Sequence, residues 1–151
     1  MSQDILLLTA LIAVILMGSA MCSGIEAALL AVNPLRVHEL ARRKPKVLGA
    51  RRLEKLRHRI GRTLTVVTIA NNSFNIFGSL MVGSYATYIF QDRIGNVKPI
   101  FFVGLTILVL LLGEIVPKAL GTRLALQISL TSAPVLDFLS IVMRPLLIVL
   151  E

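Results

Sequence analysis

From Ile5 to Val32 the chain is an almost unbroken apolar run, interrupted by Ser19, Ser23 and Glu26 and closed by Asn33-Pro34. As a helix it reaches about 40 Å, enough to cross a hydrocarbon layer of about 30 Å and project beyond it. Composition points the same way. Of 151 residues, 56% are hydrophobic and 16% charged, with a mean hydropathy of +0.82, which fits an all-α membrane protein rather than a soluble domain. The run opens on Asp4 rather than on a basic stretch and is too long for a cleaved signal, so it reads as a retained span over 5–32.

Charge is distributed unevenly. Eleven of the sixteen Lys and Arg fall between Arg36 and Arg62, with only Glu39 and Glu54 among the acids. A basic stretch between spans marks a cytoplasmic loop, which puts the N-terminus outside and sets the loop against an anionic inner leaflet rather than a nucleic acid. Within it, Leu35, Leu40, Val47, Leu48, Leu53 and Leu56 recur at helical spacing, with breaks at Pro45 and Gly49. They predict a pair of short amphipathic helices over 34–60.

A second span is expected over 64–90, unusually polar in its first half at Asn71, Asn72, Ser73 and Asn75, and a link from Gln91 to Lys98 turns the chain around. The third is expected over 99–117, from Pro99 to a break at Pro117. The last segment, 124–150, is long enough to span, yet it contains Pro134, Asp137, Arg144 and Pro145. Ser129, Ser132, Asp137, Ser140 and Arg144 share one helical face, which favours a juxtamembrane helix lying along the interface over a fourth span. The C-terminus is then cytoplasmic, and the ending at Glu151 reads as though a soluble domain follows.

The third span carries the sharpest anomaly. Gly113-Glu114-Ile115-Val116-Pro117-Lys118 buries a carboxylate and a proline in an apolar helix. An ionisable group at bilayer depth costs at least about 2.5 kcal/mol and generally faces a cavity, a partner or an ion path. Proline lacks the N–H that would bond the Gly113 carbonyl four residues earlier. Ser19 and Ser23 share a face of the first helix with Glu26, and Asn71 and Asn75 share a face of the second. Three helices thus offer hydroxyl, amide, carboxylate and backbone oxygens, the donor set of magnesium or calcium.

Plainer roles exist for each residue. The serines with Gly24 can form a packing seam, the asparagines can hydrogen-bond between helices, Pro117 can merely end a helix, and Glu26 can pair with a base such as Arg36. No single plain role covers all three helices. Enzyme chemistry has little support: His38 and His58 lack metal-ligand spacing, Cys22 is the only cysteine and reads as an inert thiol, and no phosphate loop or nucleophile elbow is present.

Ser19-Ala20-Met21-Cys22-Ser23-Gly24-Ile25-Glu26-Ala27-Ala28-Leu29 resembles the first-helix motif of the CorC/cyclin M (CNNM) magnesium transporters. Ala70-Asn71-Asn72-Ser73-Phe74-Asn75 is similar to that family's Gly-Asn-Asn-x-x-Asn stretch, with Ala70 in place of glycine, and Gly113 to Lys118 matches Gly-Glu-Ile-x-Pro-Lys. The resemblance covers nearly the whole chain. It implies one transmembrane domain over 1–151 with three spans, a cytoplasmic helical pair and a belt helix, assembled as a homodimer and followed in the full-length protein by CBS domains. It implies Mg2+ held by Ser19, Ser23, Asn71, Glu114 and the Gly113 carbonyl, and transport coupled to Na+ in the efflux direction. The alternative expectation is a non-transporting membrane anchor or regulator.

Overall fold

A computed structural model describes residues 2–43, 47, 49–89 and 97–145. Among them the order is α1 (Ser2–Ala31), α2 (Pro34–Arg43), α3 (Ala50–His58), α4 (Ile60–Ile89), α5 (Val97–Leu108), a π-helical segment (Val109–Ile115), α6 (Val116–Arg123) and α7 (Ala125–Val142). The expected break at Pro45, the Leu48 position, most of the Gln91–Lys98 link and the end of the last segment beyond Pro145 lie outside the described residues.

Local chemistry sets the joints. Asn33 caps α2 by accepting the Leu35 N–H at 2.9 Å, with Pro34 in the first helical position, where a missing N–H costs nothing. The guanidinium of Arg57 donates to the Leu29 carbonyl at 2.7 Å, giving an exposed helix end both a partner and a favourable charge. Gly49 precedes α3 with φ 84, a left-handed conformation, and its Cα lies tight against the Leu130 carbonyl, so a side chain there meets both strain and a clash.

α1 and α4 form the most extensive pairing, and they run antiparallel. Leu8 packs with Val82 and Ala86 at one end, while Leu29 and Val32 meet Val67, Val37 and Leu53 at the other. The Val97–Arg123 helix runs parallel to α1: Phe101 and Leu105 join the Leu8 cluster, and Gly121 reaches Gly24 and Ala27. A Cβ on Gly121 would stand 2.3 Å from the Gly24 carbonyl oxygen, so only glycine permits this approach. α1 and α6 therefore finish on the side of the basic helices α2 and α3.

Several boundaries differ from the sequence expectations. The third helix does not break at Pro117: it widens into the π-helical segment and continues to Arg123, with the Val116 N–H bonding the Leu111 carbonyl five residues back. Proline sits at the start of α6, where the helix tolerates it. α1, α4 and α5 each begin earlier than the apolar runs they contain, because helical geometry extends into flanking polar residues.

Among the described residues, the helices long and apolar enough to cross a membrane are Gln3–Ala31, Pro99–Arg123 and Ala125–Val142, and α4 is not among them. Asn71, Asn72, Ser73 and Asn75 lower its apolarity. Its 30 residues nonetheless give about 45 Å of helix lying along α1. α7 is apolar enough, yet it supplies Ala133 and Leu136 to the cluster on the basic side and nothing to the Leu8 cluster. Its polar stripe is turned inward, with Ser129 and Ser132 buried, and Val135, Phe138, Ile141 and Val142 are exposed.

Candidate functional site

Between the two apolar clusters lies a polar layer. Ser19 and Ser23 on α1, Asn71 on α4 and Gly113 in the π-helical segment are all buried there, the serines and asparagine to 5% exposure or less. Ser19 Oγ stands 3.2 Å from Asn71 Oδ1 and 3.4 Å from the Gly113 carbonyl oxygen, and Ser23 Oγ is 3.5 Å from the same Asn71 oxygen. Tight O–H···O bonds are about 2.7–2.8 Å, so these contacts are long. Two hydroxyl protons also serve three contacts, and the Ser19 hydroxyl can donate to only one acceptor at a time.

Sequence spacing brings these atoms together for identifiable reasons. Ser19 and Ser23 are one turn apart, and antiparallel pairing of α1 with α4 sets Asn71 between them. The absence of a side chain on Gly113 lets the third helix close in, since a Cβ there would stand 3.3 Å from Ser19 Oγ. A π-helical segment turns an additional backbone carbonyl away from the four-residue ladder, and such segments recur at functional sites.

A match to the family model described as cyclin M transmembrane N-terminal domain covers residues 10–151. The chain belongs to the cyclin M transmembrane domain family. Relatives of this cyclin M domain include the UPF0053 protein of Synechocystis sp., 38% identical over 95% of this chain. The UPF0053 inner membrane protein YfjD of Escherichia coli is 30% identical over 85% of it, and a UPF0053 protein of Haemophilus influenzae is 33% identical over 85%. The chain spans 40% of the Synechocystis protein's length and 29% of each of the other two.

Glu114 is placed differently from the other expected ligands of the cyclin M domain. Its carboxylate meets Lys118 at 3.3 Å, its side chain is 38% exposed, and no hydrogen bond joins it to the serines or Asn71 among the described residues. Lys118 also reaches Glu26 at 4.0 Å, and Glu26 accepts from the Thr68 hydroxyl at 3.1 Å. Glu26 thus pairs with Lys118 rather than with Arg36, because parallel packing of α1 and α6 brings residue 118 beside residue 26. These groups border an open groove on the basic side, lined by Glu26, Ala27, Leu30, Ala31, Lys118 and Thr122.

On the opposite side of the layer, Asn75 Oδ1 is buried without a hydrogen-bond partner among the described residues. It borders a cavity of about 20 Å3 between Ile12, Leu16, Val82, Leu105 and Val109, room for roughly one water molecule. Sequence reasoning missed the Lys118 link, although Glu114 and Lys118 stand at the i, i+4 spacing that pairs charges on a helix. It also left His38 unpartnered, whereas His38 Nδ1 lies 2.6 Å from Glu54 Oε1 across the α2–α3 hairpin. Among the described residues no cluster of three or more His, Cys, Asp or Glu exists, so any cation in the polar layer meets mainly neutral oxygens.

Proposed function

We propose that this membrane domain passes a divalent cation, magnesium, along the polar layer between α1, α4 and the π-helical segment. The observation carrying this reading is the convergence of Ser19 Oγ, Ser23 Oγ, Asn71 Oδ1 and the Gly113 carbonyl in contacts of 3.2–3.5 Å, too long for tight mutual bonding. Oxygens bound cis on magnesium at about 2.0–2.1 Å stand about 2.9 Å apart, whereas six on calcium at about 2.3–2.6 Å stand about 3.3–3.7 Å apart. Magnesium therefore requires the helices to close by a few tenths of an ångström, and calcium fits the present spacing with less movement.

Charge comes from Glu114 and Glu26, which share Lys118 as a counter-ion. An arriving cation replaces the ammonium, Glu114 turns toward the Gly113 carbonyl beside it, and the ion sheds part of its water. Asn75 offers a further oxygen on the outward route, and the Glu26–Lys118 groove opens on the basic side. With the positive-inside rule that side is cytoplasmic, and α7, held against α3 and the end of α1, is a belt at the inner interface. Efflux coupled to Na+ and assembly as a homodimer complete the reading.

A second reading has its own support. The Gly24–Gly121 approach and the Ser19–Asn71 contact also serve helix packing, which suits an anchor or regulator without transport. Magnesium flux into liposomes containing the purified protein, with and without an opposing Na+ gradient, decides between them. Flux that falls in Asn71→Ala while assembly persists supports transport. Flux absent from the unaltered protein under every gradient overturns it in favour of the anchor.

A further inference from the structure

A second polar cavity lies apart from the Ser19–Asn71 layer. Its volume is about 190 Å3, and it sits where α3 and the first turn of α4 face the second half of α7. Lys55, Arg59 and Arg62 stand on one wall, and Asp137, Ser140 and Arg144 on the other. The Thr63 hydroxyl, buried at its floor, is already committed to the Leu56 and Arg59 carbonyls. Among the described residues, Lys55, Arg59 and Arg144 line the cavity with Asp137, and Lys55 is 3.9 Å from that carboxylate, a loose pairing.

The flank of α7 beside the cavity is apolar and exposed: Phe138 at 67%, Ile141 at 64% and Val142 at 55%. In a membrane protein such a surface meets acyl chains. A ligand matching both features presents a negative, oxygen-rich head to the cations and hydrocarbon to α7. We propose that this cavity is a headgroup site for an anionic phospholipid. The phosphodiester lies between Arg59 and Arg144, whose planar forks suit phosphate oxygens, and the chains run along Phe138 and Val142. A zwitterionic choline head brings its own cation into the same cluster and is disfavoured. The lipid would tie α7 to the α3–α4 corner.

Thermal denaturation of the purified chain in detergent tests this, with short-chain phosphatidylglycerol, phosphatidylcholine of equal chain length, inorganic phosphate and polyglutamate as additives. Phosphatidylglycerol should raise the melting temperature saturably, and the other three should not at equal concentration. Arg59→Gln with Arg144→Gln should raise the half-saturating lipid concentration about tenfold or more. Both side chains are exposed, so the melting temperature without lipid should hold. Should that pair fail to fold, Arg144→Gln alone provides the same comparison. Arg42→Gln with Arg43→Gln, basic but outside the cavity, should respond like the unaltered chain. Equal stabilisation by phosphatidylcholine, full reproduction of the shift by phosphate or polyglutamate, an undiminished response in the cavity variants, or an equal loss in the α2 control would each overturn the proposal.

Discussion

Ser19 Oγ and Asn71 Oδ1 stand 3.2 Å apart although 52 residues separate them, and both are buried between an apolar cluster on either side. Polar atoms so placed have no water to fall back on, so each depends on its neighbours or on a ligand. Asn71 is the common acceptor for two serines, which makes it the most exacting position in the layer.

Asn71→Ala should therefore weaken both folding and ion handling. The Ser23 hydroxyl loses its acceptor, at a cost of about 1–3 kcal/mol at most, and Ser19 keeps only its 3.4 Å contact with the Gly113 carbonyl. Magnesium flux should fall sharply, while Asn72→Ala, on the exposed neighbouring face, should leave both nearly unchanged. Flux in liposomes and the melting temperature in detergent report the two effects separately.

The shared ammonium gives a paired prediction. Glu114→Gln removes the charge next to the Gly113 carbonyl and should weaken magnesium binding at least about tenfold, the effect expected for losing a charged partner. Lys118→Met removes the competing cation and should strengthen binding. Titration calorimetry on both variants checks this, and a loss of affinity in Lys118→Met would mean that the lysine supports the site rather than occupying the ion's place.

Pro117→Ala restores an N–H at the junction of the π-helical segment and α6. That donor can reach the Gly113 carbonyl four residues back or the Leu112 carbonyl five back, and either regularises the helix. Magnesium affinity should fall although no ligand side chain changes, and stability without magnesium should hold or rise. Pro134→Ala, inside α7, should leave affinity untouched. Calorimetry and melting curves on the two variants make the comparison.

Topology is open to labelling with an impermeant thiol reagent in a Cys22→Ala background. Cysteines replacing Ser2 and Asn96 should react from outside, and those replacing Arg51 and Glu151 from inside. Arg51 is preferred to Gly49, where the left-handed backbone and the adjacent Leu130 carbonyl leave no room for a side chain. Reaction of residue 151 from the Asn96 side would make α7 a span.

The all-α membrane class, the basic side and the residues of the polar layer were legible in the sequence, because hydrophobic runs, charge asymmetry and one-turn spacings are local properties. Ser19 with Ser23 needed only the 3.6-residue period, and Gly113 was singled out by the proline after it. Composition sets α4 apart: Asn71, which builds the layer, and its neighbours Asn72, Ser73 and Asn75 leave it less apolar than the three helices apolar enough to cross among the described residues. Only packing decided what the proline does: the helix continues through it because a π-helical segment absorbs the irregularity over seven residues. Packing also decided the fate of Glu114, whose carboxylate turns to a lysine one helical turn away rather than to the serines. That lysine reaches Glu26 because two glycines let α1 and α6 approach to backbone contact, a long-range fit that no window of sequence contains.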